Sequence, residues 1–300
     1  MWCIAGSVPD AAFPPALPDG PLRLDGSRLC LPDGRSVPVE RGTPALAATA
    51  LLACRALDIA APRALLAGDT GNGEGSRRLY RWLCEHVAAL APRGLTFHYL
   101  FPDADWHNRV LLAVQALPAR PLLLADAGFM YAAKMSGYAD AYDLFTPDVG
   151  ELAFLADENA PHPFYTRGFL LAEDHNIPPL LKRVLAHGNC PRHLIIKGAA
   201  DHIVCEGEVR AVIDSPSVPA MECIGGTGDI VTGLTTAFAA ADWPLCAACE
   251  AAARTARRLA ALCAPQPDTP VADLILRLPE ALSPDWLHAL RAASEGHAPV

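Results

Sequence analysis

The sequence has no excess of positive charge and no run of five or more like charges. Its 24 lysine and arginine residues stand against 33 aspartate and glutamate residues, a formal net charge of −9 at pH 7. A nucleic-acid-binding surface needs a basic stripe or patch, so we expect no nucleic-acid partner. A phosphorylated small molecule remains compatible with an acidic chain, because backbone N–H groups can supply a local positive field.

Signals for secretion and membrane insertion are also missing. The first 20 residues lack a basic segment and are interrupted by Pro9, Pro14, Pro15 and Pro18. Apolar stretches such as "TPALAATALLAC" are shorter than the roughly 20 residues that a membrane-spanning helix needs. We therefore expect a soluble, cytoplasmic protein with no membrane partner, and we leave open whether it forms a homo-oligomer.

Paired cysteine motifs are absent apart from "CAAC" at Cys246 and Cys249. No second such pair and no paired histidines complete a four-ligand zinc site. The ten cysteines are scattered along the chain, and without a secretory signal we expect them to be reduced thiols of the core. No residue is assigned as a metal ligand.

The 300 residues, 52% of them hydrophobic, suffice for one large core. Residues 1–42 are rich in proline, glycine and aspartate and are predicted to form an N-terminal arm or a small hairpin. From residue 43 to residue 300, short apolar runs alternate with helical periods, which predicts a single α/β domain with a mostly parallel sheet. The predicted strands are 63–68, 95–101, 121–126, 142–146 and 193–197. The predicted helices are 43–58, 76–90, 105–117, 129–139, 149–156, 170–187, 228–241, 245–263, 271–278 and 284–294. An antiparallel hairpin is predicted from "DHIVCEG" and "EVRAVID" at the sheet edge.

Ligands of open α/β sheets bind outside the carboxyl ends of the strands, so the residues that follow each strand are informative. The first such segment is "GDTGNGEGS", a glycine-rich turn that could bring N–H groups to a phosphate at a helix start. It fits neither a P-loop nor a dinucleotide fingerprint, and a plain tight turn is an equal alternative. Its candidate ligand-binding residues are Gly68, Asp69, Gly71, Asn72 and Gly73.

Two further strand ends carry carboxylates. Asp126 follows "LLLA", and Asp148 and Glu151 lie in "TPDVGE". These carboxylates stand where a metal–nucleotide complex or a hydroxylated ligand would bind, although each taken alone is also typical of a helix N-cap.

The fourth segment is "IGGTGD", which leads directly into an apolar helical stretch. Gly225, Gly226 and Gly228 allow consecutive N–H groups at the helix start to converge on an anion. Asp229 would favour the helix dipole, but beside an anion site it is also placed to take a proton from an attacking hydroxyl. We favour the catalytic interpretation, because a plain helix start has no use for so many glycines.

Together these segments carry a resemblance. "GGTGD" followed by "IVTGLTTAFAA" resembles the anion-hole and catalytic-aspartate motif of the ribokinase-like superfamily. "TPDVGELAFL", "LLLADAG" and "LIIKGAADHIV" resemble segments of its NAD(P)H-hydrate dehydratase branch, and all four occur in the expected order over roughly residues 60–265. Two features depart from that branch: Asp148 and Val149 stand where it has His-Pro, and the glycine loop differs.

The resemblance implies a three-layer α/β/α sandwich that binds ADP or ATP with Mg²⁺. It implies that Asp229 is the catalytic carboxylate and that Gly225, Gly226, Thr227 and Gly228 bind phosphate. Lys197 and Gly198 would lie at the nucleotide, and Asp126, Thr146 and Glu151 would line the substrate cleft. The "DVGE" run with Asp148 is also reminiscent of the metal–phosphate motif of sugar and vitamin kinases.

Three functions remain open. The first is a nucleotide-dependent dehydratase that phosphorylates the hydroxyl of NAD(P)H hydrate and then eliminates phosphate. The second is a kinase for a sugar or a cofactor precursor, and the third is a non-catalytic ligand-binding protein. The segment "APHPFYTRGF" at 160–169 is predicted to contribute to the substrate pocket as a flap.

Overall fold

The structure is a computed structural model and describes residues 1–160 and 177–295. Its strands are β1 (Trp2–Val8), β2 (Arg23–Asp25), β3 (Arg28–Cys30), β4 (Ser36–Pro38), β5 (Arg63–Gly68), β6 (Gly94–His98), β7 (Leu122–Ala125), β8 (Leu144–Phe145), β9 (His193–Ile196), β10 (Asp201–Cys205) and β11 (Glu208–Ile213). Its helices are α1 (Thr43–Ala56), α2 (Glu74–Leu90), α3 (Ala104–Gln115), α4 (Phe129–Met135), α5 (Val149–Leu155), α6 (Ile177–His187), α7 (Thr227–Ala240), α8 (Leu245–Cys263), α9 (Val271–Leu276), α10 (Leu278–Ala281) and α11 (Pro284–Glu295).

The chain divides into two compact units. Unit 1 consists of residues 1–20 and 63–212, and unit 2 consists of residues 21–62 and 213–300.

Unit 1 is built on an eight-stranded sheet with the order β11-β10-β9-β8-β7-β6-β1-β5. The pairs from β5 through β9 are parallel, and β10 pairs antiparallel with β9. The parallel strands are short and apolar, as expected of strands buried on both faces. Their carboxyl ends therefore all reach the same edge of the sheet, which positions the polar residues described below.

The core of unit 1 is closed by an aromatic cluster between helices and sheet. The rings of Phe97 and Phe129 stack with centroids 4.1 Å apart, and Tyr142 meets both at steep angles. The Tyr142 hydroxyl lies 2.8 Å from Nε2 of His107, and burial lowers the pKa of that histidine to about 4. Since desolvation disfavours the charged ring, this histidine is neutral and serves the core.

Unit 2 combines a small antiparallel sheet, in the order β2-β3-β4, with helices α1 and α7–α11. Helix α1 packs along α7, and α7 in turn packs along α8. All three helices are rich in alanine and other small residues, which allows their backbones to approach closely.

The prediction of an α/β fold around a mostly parallel sheet is confirmed, and the hairpin of β10 and β11 lies at the sheet edge as predicted. The N-terminal segment 1–42 differs from the expectation, because the structure divides it. Trp2–Val8 is a strand between β5 and β6, whereas 23–38 forms the small antiparallel sheet. The strand escapes the pattern because both of its faces are buried, so it shows no alternation, and the prolines after it suggest irregular structure.

Two predictions fall partly or wholly outside the described residues. The predicted helix 170–187 is described only from Ile177 onward, and almost all of the predicted flap at 160–169 lies outside the described ranges.

Eight of the ten cysteines are free thiols, as expected, whereas Cys205 and Cys246 are not. Position along the chain does not show which thiols a fold leaves free. Burial raises the pKa of the free thiols of Cys3, Cys54 and Cys190 to about 12, so these three are inert core residues. Across the described ranges, no helix is long and apolar enough to cross a bilayer.

Candidate functional site

Four neighbouring strands of unit 1 end in polar side chains. His98 ends β6, Asp126 follows β7, Thr146 follows β8, and Lys197 follows β9. Because these strands are parallel, the four residues lie at one edge of the sheet, where α/β proteins bind ligands. Asp126 and Thr146 are almost fully buried, with 1% of each residue exposed.

Asp126, which is buried, and Lys197, which is partly buried, form an ion pair at this edge. The Lys197 Nζ lies 3.0 Å from Oδ1 and 3.1 Å from Oδ2 of Asp126, and His98 Nε2 lies 3.8 Å from Oδ2. Burial by itself would lower the pKa of Lys197, but the carboxylates of Asp126 and Glu151 outweigh it and raise that pKa. Lys197 therefore remains charged, and its charge is directed at Asp126.

Asp148 and Glu151 form a capping box at the start of α5. The Asp148 Oδ1 accepts the Glu151 amide hydrogen at 2.7 Å, and the Glu151 Oε2 accepts the Asp148 amide hydrogen at 2.8 Å. The Tyr131 hydroxyl donates to the other oxygen of Glu151 at 2.6 Å. Burial, followed by the nearby Asp148 carboxylate, raises the pKa of Glu151 to about 8, while Lys197 acts in the opposite direction.

Asp148 is therefore the N-cap residue of α5, as predicted. Asp148 is exposed, whereas Glu151 is buried. Gly198 follows Lys197 in an open position, with 3.6 Å between a Cβ built on it and the nearest atom, Ala200 O. Its amide donates to Asp201 Oδ1 at 3.3 Å.

The glycine loop after β5 is closed around the carboxylate of Asp69. Oδ1 accepts the amide hydrogens of Gly71 and Gly73 at 2.9 and 3.1 Å, and Oδ2 accepts from the amide and the hydroxyl of Ser76 at 2.9 and 2.7 Å. These hydrogen bonds keep the pKa of Asp69 below its ordinary value although burial opposes ionisation.

An internal carboxylate therefore occupies the position in which the sequence suggests a phosphate. The loop is also too tight for a side chain at Gly75, since a Cβ there would lie 2.0 Å from Gly68 O. Asn72 takes part in the turn as well, because its Oδ1 accepts the Glu74 amide hydrogen at 3.0 Å. This arrangement favours the tight-turn interpretation over the ligand loop.

The "GGTGD" segment of unit 2 forms the start of α7. Gly226 is the N-cap residue with φ of 100°, a left-handed conformation that favours glycine, and a glycine has no side chain with which to cap the helix. The Thr227 hydroxyl lies 3.2 Å from each of two backbone acceptors, Met221 O and Ile224 O, so it ties down the preceding turn. Gly228 leads into Asp229, which lies in the first turn of α7 with 6% of the residue exposed.

The start of α1 lies beside this loop within unit 2. The Gly42 amide, at the N-cap of α1, donates to Oδ2 of Asp229 at 2.5 Å. A Cβ built on Gly226 would come within 3.2 Å of Arg41 Cα, and one on Gly225 within 3.8 Å of Arg41 Cδ. The exposed Arg41 side chain therefore runs along the glycine loop.

Several of these neighbours are absent from the sequence analysis. Arg41 and Gly42 lie in the segment 1–42 that is predicted to be an arm or a hairpin, and no motif includes Tyr131 or His98. His98 lies inside the predicted strand 95–101 and becomes a strand-end residue only because the observed strand β6 ends there. Arg41 and Gly42 carry no such signal, because only the packing of α1 along α7 brings them to Asp229.

Comparison with known proteins bears on the family and the fold of the chain. No protein-family model matches the chain. The uncharacterized protein MJ1337 of Methanocaldococcus jannaschii is 35% identical over 221 residues, which are 73% of this chain and 90% of that protein.

Two solved structures share the fold at low sequence identity. A ribokinase-like superfamily protein of Enterococcus faecalis, EF1790, superposes with a TM-score of 0.54 at 14% identity, covering 94% of this chain and 86% of its own. YxkO of Bacillus subtilis, a member of the UPF0031 family, has a TM-score of 0.50 at 16% identity, with 94% and 92% covered. The expectation of a ribokinase-like fold is confirmed, whereas fold similarity at this identity does not distinguish the hydrate dehydratase branch.

Proposed function

The chain belongs to the family of the uncharacterized protein MJ1337, and from its ribokinase-like fold and the residues around Asp229 we propose that it is a small-molecule kinase. It transfers a phosphoryl group from a nucleotide to a hydroxyl of its acceptor. We prefer the kinase to the hydrate dehydratase because the superfamily-level fold supports phosphoryl transfer and no further step is needed to explain the residues.

The observation that carries the proposal is the buried carboxylate of Asp229 in the first turn of α7. A general base must be fixed in space and close to the group it deprotonates. Asp229 is held by the Gly42 amide and follows a glycine-bounded helix start with no side-chain cap. Such a start directs backbone N–H groups and a partial positive charge towards a phosphoryl group.

The phosphate-binding part of the proposal rests on Gly225, Gly226, Thr227 and Gly228. Their backbone amides are the donors, because the Thr227 hydroxyl faces backbone carbonyls. Arg41 runs along the loop. Its positive charge would offset the negative charge that phosphoryl oxygens bring close to the carboxylate of Asp229.

In the proposed reaction the acceptor oxygen attacks the terminal phosphorus of the nucleotide. The new P–O bond forms as the bond from that phosphorus to the bridging oxygen breaks, and the hydroxyl proton passes to Asp229. The products are a phosphomonoester and a nucleotide one phosphate shorter. Mg²⁺ would arrive with the nucleotide and neutralise phosphate charge, and either ATP or ADP remains open as donor.

For unit 1 we propose ligand-binding roles at the strand ends. Asp126, Thr146 and Glu151 would contact hydroxyl groups of a ligand, and Lys197 and Gly198 a nucleotide. Asp148 offers an exposed carboxylate to the same ligand chemistry. The Asp126–Lys197 ion pair supports a polar ligand, because a buried, charged pair at a strand end is poorly suited to an apolar one.

The hydrate dehydratase is the second candidate, and the residues in its favour are those of "TPDVGE". It would also phosphorylate a hydroxyl, but phosphate would then leave to regenerate NADH or NADPH. The two functions differ only in the fate of the phosphate, which makes them separable by product analysis.

The test is ³¹P NMR of the protein with Mg²⁺ and either ATP or ADP, in the presence of pooled sugars, vitamin alcohols or hydrated NADH. If the protein is a kinase, a new phosphomonoester signal appears only in the sample whose pool contains the acceptor. A dehydratase gives inorganic phosphate together with recovered nicotinamide absorbance. Nucleotide binding with neither product would refute both enzymes and leave the non-catalytic binding protein.

A further inference from the structure

The carboxylate of Asp229 is held by a helix that the sequence analysis left without a catalytic role. Gly42 lies 187 positions away in sequence, and its amide donates to Oδ2 at 2.5 Å. Gly42 has φ of 71° and ψ of −151°, backbone angles that essentially only glycine adopts. The amide direction is therefore set by the turn that starts α1.

A second contact fixes the two helices one turn further along. Gly233 lies four residues after Asp229 on α7, and Leu46 lies four residues after Gly42 on α1. The contact between Gly233 and Leu46 is therefore about one helical turn further along both helices than the contact between Asp229 and Gly42. A Cβ on Gly233 would lie 2.6 Å from Leu46 O and 2.7 Å from Thr49 Cβ. The backbones of α1 and α7 thus touch at a position where no side chain fits.

We infer that the start of α1 is a positioning element of the catalytic site, in which Gly42 orients the Asp229 carboxylate and Gly233 sets the helix separation that this bond requires. The catalytic part of the inference rests on the proposed function; the geometric part does not. A misplaced base lowers turnover steeply, since a displacement of about 1 Å can cost ~10²-fold in rate. The affinity of the protein for nucleotide should change little, because the α7 amides remain.

The alternative is a purely structural bond, in which Asp229 merely satisfies an amide at the start of α1. Both interpretations predict some loss of stability when the contact is broken. Only the positioning role predicts a loss of kcat per folded molecule with nucleotide affinity preserved.

The geometric part is tested on the wild-type protein by NMR with ¹⁵N-labelled glycine. An amide that donates to a carboxylate resonates downfield, so the Gly42 proton should shift upfield in Asp229→Asn. Asp273→Asn is the matched control, because Asp273 occupies the third position of α9 as Asp229 does of α7. If the chemical shift of the Gly42 amide proton is the same in Asp229→Asn as in the wild type, the inference is overturned, whatever the activity of the enzyme.

The catalytic part is tested by kcat and nucleotide Kd in Gly233→Ala and Gly42→Ala. We expect kcat of the folded protein to fall by about 10- to 100-fold, with Kd within about twofold of wild type. Gly34→Ala is the control, since Gly34 has φ of 86° and open space around it. Unchanged kcat in both variants overturns positioning, and if one variant fails to fold the other decides. A wild-type protein without turnover refutes the proposed function instead, and the NMR result stands separately.

Discussion

At the scale of single residues, identical residue types in glycine-rich segments serve opposite purposes. Asp69 fills its own loop, because four donors of that loop converge on its carboxylate. Asp229 accepts from a different helix instead, and the amides at the start of its own helix have no side-chain cap. We therefore expect a glycine-rich turn to bind an anion only where no internal carboxylate already accepts its N–H groups.

The role of Asp69 is tested by Asp69→Asn. The amide NH₂ of asparagine cannot accept the Ser76 donors, so we expect a loss of about 1–3 kcal/mol in the free energy of unfolding. Urea denaturation measures it, with Asp140→Asn, an exposed acid of the same unit, as control. Equal stability of the two variants would show that the Asp69 network contributes nothing.

Arg41 leads to a prediction about nucleotide binding. Arg41→Ala should raise the Kd for a nucleoside triphosphate by about 10-fold or more, because a charge-assisted contact to phosphate is lost. The control is Arg55→Ala, at the opposite end of α1, which removes the same charge. Calorimetric titration at two salt concentrations should show a weaker salt dependence in Arg41→Ala only. Equal affinities in the two variants would remove Arg41 from the phosphate site.

At the scale of elements, the α5 start shows how a capping motif and a candidate ligand site share residues. "DVGE" predicts a helix start, and Asp148 and Glu151 form a reciprocal capping box there. The sequence does not show that Glu151 is buried beside Asp148 and Tyr131, where its ionised form is disfavoured. Burial depends on which elements cover the helix start.

This burial predicts the pH dependence of stability. The pKa of Glu151 is raised from 4.5 to about 8, so between these values the folded protein binds more protons at this group than the unfolded chain does. Its contribution is therefore fully present below about pH 4.5 and is lost as the pH rises towards 8. Glu151→Gln should flatten this decline, whereas Glu85→Gln, at an exposed position on α2, should keep it. Urea midpoints between pH 5 and pH 8 measure the difference; parallel curves for Glu151→Gln and wild type would contradict the assignment.

At the scale of the whole molecule, the sequence pattern predicts the elements far better than their grouping. The strand at 63–68 and the helix at 245–263 are found at the predicted bounds, because apolar runs and helical periods are local properties. The strand Trp2–Val8 and the assignment of residues 21–62 to unit 2 are not predicted. Both depend on contacts between segments that lie far apart in the chain.

The candidate site follows the same rule. Asp126 was predictable because it follows a strand of a parallel sheet, and Thr146 and Lys197 were predictable from the family resemblance. Arg41 and Gly42 were not, because their relation to Asp229 arises from the packing of α1 along α7. Local pattern thus locates candidate ligand-binding residues, and tertiary packing decides which other residues lie beside them.

The measurement that tests the proposed function most directly is turnover by wild-type protein, Asp229→Asn and Asp273→Asn with Mg²⁺, nucleotide and the acceptor found by ³¹P NMR. If Asp229 is the base, Asp229→Asn should reduce kcat by about 10²- to 10⁴-fold with nucleotide Kd nearly unchanged, and Asp273→Asn should match wild type. Equal kcat for all three proteins would contradict the catalytic role of Asp229.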